Sequence, residues 1–143
     1  MQQFIEFIGN HPQLSLSWLL VFFTLIVISL KIMASPIKKL SAQFVTQKIN
    51  REDAVVVDVR SEAEYKQGHI AGAIHLAMDS VKKNDLQKLE KSKSKPIIVV
   101  CNAGLSASAA AQTIHKNGFA DVSILQGGMN TWFGANLPVS KKK

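Results

Sequence analysis

Short apolar runs rich in β-branched residues recur along this 143-residue chain, and they constrain its fold more than any other feature. The clearest runs are 54–59, 97–100 and 122–125, each bounded by polar or helix-forming segments. Runs of this length predict strands that are buried on both faces. Weaker strand patterns occur at 37–40 and 73–76, and helical patterns occur at 42–50, 61–67, 80–91 and 107–116. Buried strands that alternate with helices predict an α/β domain with a parallel sheet covered on both faces.

A separate apolar run, residues 14–30, contains no charged side chain over 17 positions. A bilayer-spanning helix needs about 20 apolar residues, with a range of about 17–25. Trp18 lies near one end, where interfacial aromatic residues are common. The run lacks the basic leader and small-residue cleavage site of a signal peptide. We therefore predict a short external N-terminus at 1–13, a transmembrane helix at 14–34 and an α/β domain at 35–143.

The charges that flank the apolar run predict its orientation. Residues 1–13 carry no Lys or Arg, whereas Lys31, Lys38, Lys39 and Lys48 follow the run. The positive-inside rule then places the C-terminal domain in the cytoplasm, on a single-pass protein of the inner membrane. The lipid bilayer is accordingly an expected partner, and the single thiol fits a reducing compartment.

The basic balance of the chain does not indicate nucleic-acid binding. The formal net charge is +7, and hydrophobic residues make up 47% of the chain. A run of lysines lies between residues 82 and 95, and no aromatic residues are interleaved with it. These lysines are Lys82, Lys83, Lys88, Lys91, Lys93 and Lys95. We read that run as a solvated surface and expect no nucleic-acid partner. One Cys excludes an intrachain disulfide and a multi-Cys metal cage, and we expect no cofactor or metal.

The segment 97–111, IIVVCNAGLSASAAA, carries the clearest chemical signal. Cys101 ends a buried strand, and ligands of open parallel sheets bind beyond such strand ends. A short loop containing Gly104 then leads to a helix near Ala107, so backbone N–H groups and the helix dipole favour a thiolate or persulfide anion. A Cys-dependent phosphatase needs an Arg six residues after the Cys, where Ala107 stands. A Cys–His hydrolase lacks support, because nothing places His69 or His115 beside Cys101.

Four motifs in register resemble those of rhodanese-like domains: DVR at 58–60, EYKQGHIAGA at 64–73, CNAGLSA at 101–107 and GGMNTW at 127–132. With the preceding apolar run, the chain is similar to membrane-anchored bacterial members of that family. The resemblance implies a three-layer α/β/α fold with a five-stranded parallel sheet, and sulfur transfer through a cysteine persulfide. It also implies that Cys101 is the carrier. The donor cradle is then formed by Asn102, Ala103, Gly104, Leu105, Ser106 and Ala107.

The other motif residues are expected to be structural. Arg60 and Glu64 lie four apart and are predicted to pair, ordering the corner around His69. His69 is expected to form hydrogen bonds there rather than to act as a catalyst. Asp58 ends a strand at the same sheet edge as Cys101 and is expected to border the pocket.

Three functions are compatible with these residues. The leading one is a membrane-anchored sulfurtransferase that moves sulfane sulfur from a donor through Cys101 to a thiol or other nucleophilic acceptor. The main alternative is a catalytically idle interaction module that recruits a partner, such as a membrane protein, to the inner membrane. A third is a redox or persulfide sensor that uses Cys101 without turnover. The neutral side chains of residues 102–106 predict weak attraction for the thiosulfate dianion and favour a persulfide donor. Because the chain has no second Cys, release of the sulfur needs an external thiol or cyanide.

Overall fold

The computed structural model describes residues 12–33 and 36–141, and within the first helix it describes the side chains of residues 13–29. The chain divides into two compact units, residues 1–35 and 36–143. The predicted three-part division at 13 and 34 stays a prediction.

The N-terminal unit contains helix α1, Pro12–Met33. Its apolar side chains are mostly exposed, including Trp18 and Phe23. Within the described part of the chain, however, no helix is long and apolar enough to cross a membrane. The predictions of a transmembrane helix at 14–34 and of a single-pass inner-membrane location are contradicted by this finding.

The C-terminal unit is built on the predicted five-stranded sheet, whose strands pair in parallel. The strands are β1 Lys38–Leu40, β2 Val55–Asp58, β3 Ile74–His75, β4 Ile97–Val100 and β5 Val122–Leu125. Their order is β1-β5-β4-β2-β3, so β4 lies in the middle, between β5 and β2. All four residues of β4 are buried, as the uninterrupted apolar run predicted.

Helices cover both faces of the sheet. Successive strand residues point to opposite faces, so each buried strand contributes apolar side chains to a core on both sides. They are α2 Ala42–Glu52, α3 Glu62–Gln67, α4 Met78–Lys82, a 3₁₀ helix Gln87–Ser92, α5 Leu105–Lys116 and α6 Gly128–Gly134. Ile97 and Val99 belong to a core cluster with Ala107, Ala110, Ala111 and Ile114 of α5. Ile98 and Val100 belong to a second cluster with Val45 of α2 and with Met129 and Trp132 of α6. The result is the expected three-layer α/β/α arrangement.

Two local boundaries differ from the sequence expectation. Helix α5 begins at Leu105 rather than near Ala107, so the last loop residues form its first turn. The helical pattern at 80–91 corresponds to α4 and a separate 3₁₀ helix, and Leu86 and Leu89 are buried in the core. The first change matters for function, because it brings the free N–H groups of a helix start closer to Cys101 in sequence.

Candidate functional site

Cys101 directly follows the central strand β4, at the carboxyl edge of the sheet. Only 3% of its surface is exposed, and it belongs to the core cluster that contains Val99 and Ala107. The strand therefore holds the thiol at a defined place, with the α5 side of the sheet packed around it.

Two backbone N–H groups point at this sulfur. The Gly104 amide lies 3.0 Å from Sγ, and the Ala107 amide lies 3.4 Å from it. Both distances are within hydrogen-bonding range of a sulfur acceptor, and the Ala107 N–H is one of those that a helix leaves free in its first turn. The chain thus directs neutral donors and the positive end of a helix dipole at the Cys101 sulfur.

Gly104 has a left-handed backbone conformation, with φ of +88°, which favours glycine. A Cβ at this position would lie 3.3 Å from the backbone nitrogen of Gly127. Glycine therefore allows the chain to turn from β4 into α5 while the Gly104 amide faces Cys101.

The side chains of the loop are neutral and face outward. Asn102, Ala103, Leu105 and Ser106 are exposed, and Leu105 reaches 84% exposure. Gly104 is partly buried, and Ala107 is fully buried against the core. The residues predicted as a cradle are thus brought together around Cys101, but the contacts to its sulfur come from backbone amides.

The start of α6 is hydrogen-bonded to the backbone of Cys101 and Asn102, a contact that the sequence analysis did not predict. The Met129 amide donates to the Cys101 carbonyl at 2.8 Å, and the Asn130 amide donates to the Asn102 carbonyl at 3.1 Å. This contact requires Gly128, because a Cβ there would lie 2.2 Å from the Cys101 carbonyl oxygen. This glycine entered the sequence analysis only as part of the motif at 127–132, and no local pattern identified Cys101 and Asn102 as the neighbours of α6.

Asp58 and Arg60 form a buried ion pair. Arg60 Nη2 lies 2.6 Å from Asp58 Oδ2, Arg60 Nε lies 3.0 Å from Asp58 Oδ1, and Nη2 also donates to the Gly68 carbonyl at 2.8 Å. The predicted pairing of Arg60 with Glu64 is wrong, because the acidic partner of Arg60 is Asp58. That Asp58 borders the pocket stays a prediction. The guanidinium still contacts the corner, through its direct hydrogen bond to the Gly68 carbonyl.

Glu64 instead contacts the loop that follows Cys101. Its Oε2 accepts hydrogen bonds from the Ser61 amide at 3.0 Å and the Ser61 hydroxyl at 2.5 Å, which completes a capping box at the start of α3. Its Oε1 accepts from Asn102 Nδ2 at 2.5 Å. The Ser61 hydroxyl, and then the Asn102 amide, hold the pKa of Glu64 below its ordinary value because both donate to the charged form.

The two histidines considered from sequence are engaged in structural contacts. The Nδ1 of His69 lies 2.8 Å from the Tyr65 carbonyl, and the His69 ring stacks on the Tyr65 ring at 3.8 Å. The Nδ1 of His115 lies 2.9 Å from the Phe119 carbonyl. Over the described residues, neither ring forms a hydrogen bond with Cys101, and no group of three or more His, Cys, Asp and Glu side chains could hold a metal ion.

Comparison with known proteins agrees with this arrangement. Residues 41–135 match the model of the family described as Rhodanese-like domain. The Escherichia coli K12 protein YibN, described as uncharacterized, is 40% identical over 143 residues, which is all of both chains. The thiosulfate sulfurtransferase GlpE of Coxiella burnetii is 38% identical over 85 residues, 59% of this chain and 76% of that protein. The structure of a rhodanese-related protein from Thermoplasma volcanium is 25% identical with a TM-score of 0.64, and the match covers 73% of this chain and 99% of that one.

Proposed function

We propose that this chain, which belongs to the rhodanese-like domain family, is a sulfurtransferase that carries sulfane sulfur as a persulfide on Cys101. The observation that carries the proposal is the position of the Cys101 Sγ, at the end of β4 and within 3.0 Å and 3.4 Å of two backbone amides. Donors that approach an anionic sulfur stabilise both the attacking thiolate and the persulfide that it becomes. The similarity to GlpE, which is named a thiosulfate sulfurtransferase, supports the same reaction class.

The proposed reaction has two displacement steps at sulfur. In the first, the Cys101 thiolate attacks the terminal sulfur of a donor R–S–S⁻, giving Cys–S–S⁻, while R–S⁻ leaves with the electron pair of the broken S–S bond. In the second, an acceptor thiolate attacks the outer sulfur of Cys–S–S⁻ and the Cys101 thiolate leaves. No net oxidation occurs, and thiosulfate enters the same scheme with sulfite as the leaving group.

The donor and acceptor classes follow from the loop and from the cysteine count. The exposed side chains of Asn102, Ala103, Leu105 and Ser106 carry no positive charge to attract a dianion. We therefore assign a persulfide as the preferred donor. Cys101 is the chain's single cysteine, so the acceptor is an external thiol.

Intact mass spectrometry of the full chain tests this function. Incubation with a sulfane-sulfur donor is expected to add one sulfur atom, and dithiothreitol is expected to remove it. The control is Cys101→Ser, which keeps a small polar side chain at the site and leaves no thiol to carry sulfur. A folded wild-type protein that gains no sulfur from either a persulfide or thiosulfate would refute the proposal.

A further inference from the structure

One charged side chain is hydrogen-bonded directly to the loop beside Cys101 in the described part of the chain. Glu64 Oε1 accepts from Asn102 Nδ2 at 2.5 Å, and Asn102 is the residue immediately after Cys101. The carboxylate is negative, whereas the loop itself is neutral. An anionic donor that approaches Cys101 along this loop is therefore repelled by the Glu64 carboxylate.

The position of this charge is well determined. The second carboxylate oxygen, Oε2, is held by the amide and the hydroxyl of Ser61, so both oxygens have partners. Those partners also lower the pKa of Glu64, the Ser61 hydroxyl contributing most, and the carboxylate stays ionised at neutral pH. The negative charge of Glu64 is thus held at a fixed position beside the loop, and the side chain does not move freely.

We propose that Glu64 is a specificity-determining residue, whose carboxylate, tied to the loop by Asn102, selects singly charged persulfide donors over the thiosulfate dianion. This inference rests on the proposed function, because it concerns the donor that loads Cys101. Thiosulfate has charge −2 and a small persulfide anion has charge −1, so the same carboxylate repels thiosulfate twice as strongly. Glu64 does not touch the reacting sulfur and acts only through its field.

Coulomb's law sets the size of the effect. For a separation of about 10 Å in a medium as polar as water, removing one negative charge raises the local concentration of a dianion about fourfold and of a monoanion about twofold. In about 1 M salt the Debye length is about 3 Å, so most of this difference should disappear. A purely structural role for Glu64 would not show this dependence on donor charge and salt.

The experiment compares wild type with Glu64→Gln in the full chain, using thiosulfate and cysteine persulfide as donors. Gln also serves in capping boxes, so the start of α3 is retained. The expected result is about a fourfold rise in kcat/KM for thiosulfate and about a twofold rise for cysteine persulfide at low salt, both lost in about 1 M salt. The matched control is Glu62→Gln, which removes the same charge from the same helical turn, where Glu62 pairs with Lys66.

Three outcomes decide the matter. A larger gain for thiosulfate than for the persulfide, specific to Glu64→Gln and sensitive to salt, supports the proposal. Equal changes for both donors, no change, or an equal effect of Glu62→Gln would overturn it while leaving sulfur transfer intact. If wild type is loaded by neither donor, the proposed function itself fails.

Discussion

Gly128→Ala should weaken the contact between the start of helix α6 and the loop that begins at Cys101. The new Cβ would lie 2.2 Å from the Cys101 carbonyl oxygen and 2.5 Å from the Asn102 carbonyl oxygen. These neighbours are backbone atoms and cannot rotate away as a flexible side chain can. The start of α6 and the loop must therefore separate by about 1 Å to restore ordinary van der Waals contact.

The magnitude follows from two costs. A left-handed φ, +60° at Gly128, costs a residue with a Cβ about 1–2 kcal/mol. Separation also weakens two hydrogen bonds, from Met129 to Cys101 at 2.8 Å and from Asn130 to Asn102 at 3.1 Å, each contributing about 0.5–1.5 kcal/mol. Gly128→Ala should thus lower the free energy of unfolding by about 2–5 kcal/mol.

Gly72→Ala is the matched control, because Gly72 also has a positive φ, +76°, but no atom within 4 Å of its added Cβ. Urea unfolding should show a loss of about 1–2 kcal/mol for this control. Single-turnover sulfur loading of Cys101 should be unchanged in Gly72→Ala and slowed in Gly128→Ala, since only the latter displaces the loop. Equal stability and equal loading rates in the two variants would contradict this prediction.

Two further predictions concern the charges near the site. Arg60→Ala should destabilise the domain by about 3–5 kcal/mol in urea unfolding, because it leaves the Asp58 carboxylate, 1% exposed, without its partner; a loss below about 1 kcal/mol would contradict a tightly held pair. Hydrogen bonds from Ser61 and Asn102 lower the pKa of Glu64 in the folded state. The stability that these bonds contribute should therefore be complete above the unfolded-state pKa of about 4.3. It should be lost as the pH falls through the lower, folded-state pKa. Glu64→Gln should flatten this acid limb of a stability-versus-pH curve, and an unchanged limb would show that other groups cause it.

Local sequence patterns were sufficient to predict the parallel sheet and the loop that joins β4 to α5. Apolar runs such as Ile97–Val100 can be buried on both faces only inside a covered parallel sheet, and β4 is buried at every position. A short loop containing Gly104 was predicted to lead into a helix, and Gly104 directly precedes α5 with a positive φ that is open chiefly to glycine. Both inferences depend on short-range constraints that a few neighbouring residues determine.

Pairings between distant segments were decided only by the tertiary structure. The spacing of Arg60 and Glu64 suggested a helical pair, but α3 begins at Glu62 with Ser61 as its cap, so Arg60 precedes the helix and reaches Asp58 instead. Glu64 is thereby free to bind Asn102, which is 38 residues away in sequence.

The predicted membrane span and the role of Gly128 show the same limit. Composition suggested a span at 14–34, which the described part of the chain does not contain. The need for glycine at 128 comes from the carbonyl of Cys101, a backbone group that only packing of α6 against the loop brings near. Sequence patterns report what each segment prefers, whereas contacts between segments depend on where the whole sheet places them.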